Sequence, residues 1–467
     1  MKNLKKVLCA TLAILMLLSL FVGCAKENSS GSAAPSTGNE KPSEPADSTN
    51  TDTGNAAGAD STADVVKIGV LLPLSGPTSY NGEQQLAGIQ LYTEFVNSNG
   101  GISSLNGAKI ELVVADSAGS PETGLTEFER LITSENVSAV IGPYNSTVAA
   151  VTAPLAIQNE VPYIITNATA ENFMNEPNKF VYRTNTGSMD GDVLMSQWVN
   201  YLSDQMPDRD VERVAIVYDS GDWGTAALST WQGLSESMGF ELSVAEAVSN
   251  ATDLSTLVNK IKKADVDLVV LAIFLSDTNL FVRQMYEYEC YAPIFGIGGG
   301  IVSAEYIPNC GEAAEYTFMA TPWVPSFSGV VDAALEWNEK FKEKFGMDMT
   351  QEGSWGWLGM GTLCDAIERA GSTDRIAIAD ALYVTDIGTD HPAMWFSIYE
   401  GVHFATDGQD NPMMGEGAKR YNNNDRLGIT AGLIIAQVQN QEWKLVFPET
   451  ETGGKKVIIY PNPRAAQ

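Results

Sequence analysis

The feature that most constrains this chain is the alternation, from Val65 onward, of short apolar runs with amphipathic stretches. The runs carry β-branched and apolar residues at successive positions, which is typical of strands buried on both faces of a parallel sheet. In the first stretch between them, apolar residues recur three or four apart and so share one helix face. Alternating strands and helices predict βαβ units and a doubly wound α/β fold. The predicted strands are Val65–Leu72, Ile110–Val114, Ala139–Ile141, Tyr163–Ile165, Val214–Tyr218 and Leu268–Phe274.

This series occurs twice, from 65 to about 183 and again from Val211 to about 320, which predicts two doubly wound lobes of similar size. The rest of the chain predicts a helical stretch over 327–383 and short closing strands. The long helical segments are Ser328–Phe345 and Trp355–Gly371, and the closing strands are Ile429–Val438 and Trp443–Phe447.

Polar loops follow the predicted strands of both lobes. In open α/β sheets, ligands bind beyond the carboxyl ends of the strands, where loops lead into helix N-termini. Hydroxyls and backbone N–H groups at such places suit a carboxylate or another anion. A single serine or threonine there is more often an ordinary helix cap, but two adjacent loops of this kind in one lobe favour a ligand site. The loops are 73–77, 142–147, 166–169, 219–224 and 274–277.

From Val66 to about Pro448 the chain resembles the periplasmic solute-binding proteins of the leucine/isoleucine/valine type, which serve ABC importers. The resemblance is carried by the order of several stretches along the chain, namely 68–77, 140–142, 215–219 with Trp223 and Gly224, and 363–371. It implies a non-enzymatic protein with two α/β lobes, a multi-strand hinge and a ligand cleft between the lobes. The ligand would enter the cleft, the hinge would close, and the closed form would dock on a membrane permease.

The resemblance also implies lobe boundaries. We expect an N-terminal lobe of residues 65–186 plus about 321–392, and a C-terminal lobe of residues 187–320 plus about 393–467. The protein is expected to be a monomer that needs no cofactor and no metal.

In the first lobe, the resemblance places a ligand carboxylate on the Ser146 hydroxyl and the adjacent backbone N–H groups, with Thr147 beside it. The backbone carbonyl of Asn167 and the hydroxyl of Thr169 would hold the ammonium and the carboxylate of an amino acid. Tyr144 corresponds to a wall of the pocket.

In the second lobe, Trp223 and Phe274 fall on two aromatic positions of the family. The departure is Gly298, which stands where the branched-chain binders carry a glutamate that pairs with the ligand ammonium. Because a desolvated ammonium needs a charge partner, another acid must replace this glutamate or the ligand must lack an amine. Such a ligand would be urea, a short amide or an aromatic acid. The acids that could substitute are Asp222, Asp277 and Glu305, with Asp222 the nearest by motif.

The charge balance excludes other classes of function. The sequence has 58 acidic and 28 basic residues, a net charge of −30, whereas nucleic-acid binding requires clustered lysine and arginine. Only two histidines occur, His391 and His403, which excludes a site built on several histidine ligands. The two GxS starts, at Gly101 and Gly233, do not continue to a GxSxG nucleophile motif, so a hydrolase is disfavoured. A ligand-sensing receptor would need a transmembrane helix, and we expect none after residue 24.

Residues 1–23 have the pattern of a secretion signal, with three lysines followed by an apolar run from Val7 to Val22. The run ends in Gly23-Cys24, which resembles a lipobox with Cys24 as the lipidated residue. Residues 25–64 contain no Val, Ile, Leu, Met or aromatic side chain and predict a disordered tether. We therefore expect a lipid anchor on the outer face of the cell membrane; an uncleaved membrane anchor is the alternative.

Cys290, Cys310 and Cys364 are the cysteines of the folded part. An extracytoplasmic location permits a Cys290–Cys310 disulfide, and three free cysteines are an equal alternative.

Overall fold

The computed structural model describes residues 65–188, 190–205, 210–325, 331–411, 416–428, 430, 432–452, 455–460 and 462–466. The predicted signal segment, Cys24 and the tether lie outside the described residues. Within them, the chain forms two α/β lobes, as the sequence predicts.

The first lobe contains a five-stranded parallel sheet in the order β2-β1-β3-β4-β5. Its inner strands are buried on both faces, which explains why their residues are apolar at successive positions. The strands are β1 (Val65–Leu72), β2 (Lys109–Asp116), β3 (Ala139–Ile141), β4 (Tyr163–Ile165) and β5 (Val181–Arg183).

The second lobe contains a seven-stranded mixed sheet in the order β16-β15-β10-β9-β8-β6-β7. Five neighbouring strands are parallel, and the closing pair adds antiparallel strands at one edge. The strands are β6 (Arg213–Tyr218), β7 (Glu241–Ala247), β8 (Leu268–Ala272), β9 (Ile294–Gly296), β10 (Phe318–Thr321), β15 (Ile434–Gln439) and β16 (Glu442–Phe447). Two small hairpins, β11–β12 (Asp386–Gly388 and Gly401–His403) and β13–β14 (Gln409–Asp410 and Lys419–Arg420), lie between them in the chain.

Helices connect the strands and cover the sheets. Those that follow β1 to β3 and β6 to β9 begin at the carboxyl edges of the sheets. The helices are α1 (Ser79–Ser98), α2 (Pro121–Thr133), α3 (Ser146–Gln158), α4 (Gly191–Gln205), α5 (Asp222–Met238), α6 (Ser255–Ala264), α7 (Leu275–Glu287), α8 (Tyr306–Cys310), α9 (Asp332–Phe345), α10 (Gln351–Ala370) and α11 (Arg375–Tyr383).

Helix α10 crosses α1 in close contact because glycines stand at the crossing. A Cβ atom at Gly88 would lie 1.9 Å from the carbonyl oxygen of Gly353, and one at Gly356 would lie 2.5 Å from that of Gln85. Such approaches exclude any larger residue. The crossing fixes the N-terminus of α10 next to the first lobe, where it reaches the space between the lobes.

The chain passes between the lobes after β5, after β10 and before β15. The last passage differs from the predicted boundary near 392, because apolar residues up to Leu427 pack in the core of the first lobe. The segment 393–427 therefore belongs with the first lobe, and only the strands from β15 onward return to the second. The members of this core from that segment are Ala393, Met394, Phe396, Tyr399, Val402, Phe404 and Leu427.

Cys290, Cys310 and Cys364 are free and buried, so the structure contains no Cys290–Cys310 disulfide. The described residues include no helix with the length and apolarity to span a membrane. They also include no group of three or more histidine, cysteine or acidic side chains placed to bind a metal ion.

Candidate ligand-binding site

A cavity of about 210 Å³ lies between the two lobes, at the carboxyl edges of both sheets. This volume is below the roughly 300–1,000 Å³ of drug-sized pockets and suits a small solute. The structure brings all nine predicted residues into its wall. They are Tyr144, Ser146, Thr147, Asn167, Thr169, Asp222, Trp223, Phe274 and Gly298.

The first lobe presents hydrogen-bond donors to the cavity. Helix α3 begins at Ser146, and no side chain caps its N-terminus. Ser146 Oγ accepts hydrogen bonds from the backbone N–H groups of Thr169 at 3.2 Å and Ala170 at 3.3 Å. With both lone pairs used in this way, the hydroxyl hydrogen remains available to an acceptor in the cavity. A helix N-terminus with such donors suits a carboxylate.

Asn167 adds a second donor. Its side-chain Nδ2 is buried and has no hydrogen-bond partner among the described residues, and the residue is only 8% exposed. A buried, unpaired amide N–H is costly unless a ligand satisfies it. The backbone carbonyl of Asn167, which the resemblance assigns to an ammonium, accepts a hydrogen bond from Asn185 Nδ2 at 3.1 Å.

A buried arginine holds the loop that carries these donors. Arg183 Nη1 donates to the carbonyl oxygens of Thr169 and Ala170, each at 2.9 Å, and Nη2 pairs with Glu171 at 2.7 Å. Bidentate and branched contacts of this kind fix a loop more rigidly than single bonds. The sequence did not indicate this role for Arg183, because the arginine and its partners are separated by a strand and a turn.

The N-terminus of α10 contributes two residues that the sequence did not predict as ligand-binding. Gln351 lines the cavity and is only 6% exposed. Trp355 also lines the cavity, and its Nε1 donates to Tyr399 Oη at 2.9 Å. Trp357, on the same helix, is fully buried in the core of the first lobe.

Aromatic rings form the apolar wall. The ring centroids of Trp223 and Phe274 are 5.2 Å apart, and Phe274 meets Tyr144 of the opposite lobe at 6.3 Å. An adjoining cavity of about 60 Å³ shares Trp223 and Trp355 with the first. These surfaces favour a ligand with an apolar or planar part.

Gly298 has a φ angle of +113°, a conformation that strongly favours glycine. A Cβ atom there would lie 3.6 Å from Cζ2 of Trp223 and 3.8 Å from Nε2 of Gln351. Beside it, a Cβ atom at Gly299 would lie 2.5 Å from Cη2 of Trp223. The tryptophan therefore packs against bare backbone at the position where the resemblance places a glutamate.

The second lobe supplies all the carboxylates that the described residues contribute to the wall, Asp219, Asp222 and Asp277. Both oxygens of Asp277 accept backbone N–H groups, from Asn250 at 3.0 Å and Ala251 at 2.8 Å. Glu305 is exposed and does not line the cavity. Among the residues that the structure describes, no lysine, arginine or histidine lines it either.

The lobes touch at the rims of the cavity. Asn172 Nδ2, on the first lobe, donates to Asp222 Oδ2 at 3.2 Å. Asn81 Nδ2 donates to Glu352 Oε1 at 3.0 Å and lies 3.5 Å from the carbonyl oxygen of Gly299 on the second lobe. The arrangement is that of a closed cleft.

Burial shifts the ionisation of several groups here. It raises the pKa of Glu352 to about 7. It also raises the pKa of Asp219, with a further contribution from the negative charge of Asp277. Burial raises the pKa of Tyr144 well above its ordinary value, and the charges of Glu352 and Asp219 add to this effect. The contributions from Asp277 and Asp219 show that the negative charges of the second lobe act on their neighbours in the cavity, where they favour a positive charge.

A family model described as periplasmic binding protein matches residues 65–411. The chain belongs to the periplasmic binding protein family. Among its relatives, the Leu/Ile/Val-binding protein homolog 7 of Brucella abortus is 27% identical over 350 residues, which are 73% of this chain and 86% of that protein. The predicted resemblance to the leucine/isoleucine/valine type is confirmed.

Two solved structures of solute-binding proteins have the same fold as this chain. A branched-chain amino acid transporter substrate-binding protein from Streptococcus pneumoniae, in complex with isoleucine, aligns with a TM-score of 0.68 at 19% identity, covering 82% of this chain and 100% of that one. A solute-binding protein of an ABC transporter from Rhodopseudomonas palustris BisB5, in complex with 3,4-dihydroxybenzoic acid, aligns with a TM-score of 0.66 at 18% identity, covering 82% and 95%. The predicted two-lobed α/β fold is confirmed.

Proposed function

We propose that this protein is the extracytoplasmic solute-binding lipoprotein of an ABC importer, and that its ligand is an α-amino acid with an apolar side chain. The protein captures this ligand by closing its cleft and delivers it to a membrane permease without chemical change. The observation that carries the proposal is the division of the cavity into a donor face on one lobe and a carboxylate face on the other.

The two faces match the two charged groups of an amino acid. The N-terminus of α3, the Ser146 hydroxyl and the Asn167 amide suit the carboxylate. The acids of the second lobe suit the ammonium. Trp223 and Phe274 suit an apolar side chain, as in the relatives named for leucine, isoleucine and valine.

A second candidate is an amine-free ligand such as an aromatic acid, urea or a short amide. The bare backbone at Gly298 and the uncharged Gln351 amide beside it favour it, since neither offers a charge to an ammonium. The dihydroxybenzoate complex of the Rhodopseudomonas palustris protein is in keeping with such a ligand. The carboxylates of the second lobe weigh against a simple anion, because like charges would meet in a desolvated site.

The ligand class is tested by a thermal-shift screen of the mature protein against the twenty amino acids, urea, acetamide, benzoate and 3,4-dihydroxybenzoate. We expect stabilisation by one or more apolar amino acids, since a ligand that binds only the folded state raises the unfolding midpoint. Stabilisation by benzoate or acetamide, with none by any amino acid, would replace the first candidate with the second.

The location is tested at Cys24. Replacing Cys24 with Ala should leave the precursor unprocessed by the lipoprotein-specific peptidase and move any mature protein off the membrane. Ala25→Ser, a substitution at the residue next to Cys24, is the matched control. An intact mass of the native protein without acyl groups would contradict lipidation.

A further inference from the structure

We propose that Asp219 is the residue that holds the ammonium group of the ligand, and that it sets the preference for amines over amine-free acids. This inference rests on the proposed function. It assigns the role to an acid that the sequence motif did not single out, in place of Asp222.

The charges of the wall require a cation. Three carboxylates line the cavity, and no basic residue of the described chain faces them there. Desolvating a carboxylate in a closed cleft is costly unless a positive charge accompanies it. Since the described protein residues supply none, the ligand has to bring it.

The hydrogen bonds of the three acids distinguish them. Asp277 is occupied by the backbone N–H groups of Asn250 and Ala251. Asp222 lies at the rim, where it accepts the amide of Asn172. Asp219 is held on its own loop by the backbone N–H of Gly221, 2.8 Å from Oδ1, and no side chain of a described residue donates to it. Asp222 and Asp219 each accept one of these hydrogen bonds, so both keep capacity for a ligand. Asp219 is favoured because its bond comes from its own loop and not from a neighbouring side chain at the exposed rim.

Asp219 also faces the donor side of the cavity. A Cβ atom at Gly221 would lie 2.8 Å from Asp219 Oδ1 and 3.5 Å from Cγ2 of Thr147, so the acid and the N-terminus of α3 approach each other across the cleft. The charge of Asp219 reaches Tyr144 of the first lobe, where it contributes to a raised pKa. A carboxylate bound at α3 would thus place the adjacent ammonium of an α-amino acid beside Asp219.

A second observation marks the space between them as a ligand site. Asn167 lines the cavity and is only 8% exposed, and its buried side-chain Nδ2 has no hydrogen-bond partner within the described chain. A buried amide without a partner indicates a polar atom that the bound ligand provides.

The test compares two matched pairs of probes by calorimetry on the mature protein: L-leucine with 4-methylpentanoate, and L-phenylalanine with 3-phenylpropanoate. Each second compound lacks only the ammonium. Asp219→Asn keeps an oxygen that can accept from Gly221 and removes the charge. We expect it to weaken binding of the amino acid roughly 30- to 3,000-fold and to reduce the preference for the amino acid over its amine-free partner.

Asp116→Asn is the matched control. Asp116 ends β2 in the first lobe and accepts the backbone N–H groups of Leu74 and Ala118, a role like that of Asp219, but it does not line the cavity. Its replacement should leave both affinities unchanged. Asp219→Ser, which keeps an uncharged acceptor, should reproduce the loss, and circular dichroism should show all variants folded.

The outcomes separate the two claims. If the wild type binds an amino acid and both Asp219 variants bind it as tightly, the inference is overturned while the proposed function stands. If the wild type binds neither amino acid but binds one of the amine-free acids, the proposed function is overturned and the inference with it.

Discussion

The two faces of the cavity differ in charge. The first lobe offers hydroxyls, amides and the N-terminus of α3, while the second offers carboxylates and most of the aromatic surface. A ligand with a single charged group would make a charged contact with one face only and would gain less from closure. A ligand can shift a conformational equilibrium only by its difference in affinity for the two states, so a zwitterion that touches both faces is what couples binding to closure.

The largest effect should come from removing the aromatic part of the second face. Trp223 packs on Phe274 and on the bare backbone of Gly299. Trp223→Ala should therefore weaken binding of an apolar amino acid by about 2–4 kcal/mol, as is usual for a central tryptophan. Calorimetry measures the loss.

Trp443→Ala is the matched control for this prediction. Trp443 stacks on Tyr306 at 6.0 Å, away from the cavity. Its replacement should lower stability and leave affinity unchanged. Equal affinity losses in the two variants would show that the Trp223 effect is a general loss of structure.

On the first face, Ser146→Ala removes a hydroxyl that is itself held by Thr169 and Ala170. We expect a loss of about 1.5–3 kcal/mol, the usual size for a hydrogen bond to a charged group. The loss should be the same for an amino acid and for its amine-free partner, because both present a carboxylate.

The two lobes should therefore differ in the ligands that their variants affect. Changes on the first face should act on any carboxylate, and changes at Asp219 only on amines. Ser196→Ala, on an exposed turn of α4, serves as the control and should change neither affinity. A Ser146 variant that discriminates between amino acid and amine-free acid would contradict the assignment of the faces.

Glu352 should make stability depend on pH. Its pKa rises from an ordinary 4.5 to about 7 on burial, so the folded state binds this proton more tightly than the unfolded chain does. The stability that this proton contributes is present below pH 4.5 and is lost as the pH rises through 7. Glu352→Gln should therefore raise the free energy of unfolding by about 1–3 kcal/mol at pH 8 and change it little at pH 4.5. Thermal unfolding at both pH values is the check, and an equal change at both would refute the explanation.

Asp222→Asn should have the smallest effect. Its carboxylate accepts one amide from Asn172 at an exposed rim, and an asparagine oxygen can accept the same bond. We expect a loss of affinity below about 1 kcal/mol, as for other exposed polar contacts. A loss of affinity as large as that of Asp219→Asn would indicate that Asp222 binds the ligand ammonium.

Much of this site follows from the sequence. The strands are apolar at successive positions, and a doubly wound fold brings the carboxyl ends of one sheet to one edge, so the loops carrying Ser146 and Thr169 had to meet. Trp223 follows a strand of the second sheet, and only the family resemblance placed it in the same cleft. The contribution of α10 could not be predicted, because it depends on the crossing of Gly88 and Gly353, more than 250 residues apart in the chain.

The choice among the acids could not be made from the sequence either. Asp219 and Asp222 stand three residues apart in one loop, and only their hydrogen bonds separate them. The positive φ of Gly298 likewise appears only in the folded backbone, where it shows that a side chain at this position would be strained.

The central claim, that the two lobes hold opposite charges of one ligand, is tested most directly by calorimetry of the wild-type protein with three compounds that share one apolar part. These are L-leucine, 4-methylpentanoate without the ammonium, and 3-methylbutylamine without the carboxylate. The account predicts that L-leucine binds at least about 100-fold more tightly than either partner, since each charged contact contributes on the order of 2–5 kcal/mol. Binding of 4-methylpentanoate as tight as that of L-leucine would contradict it.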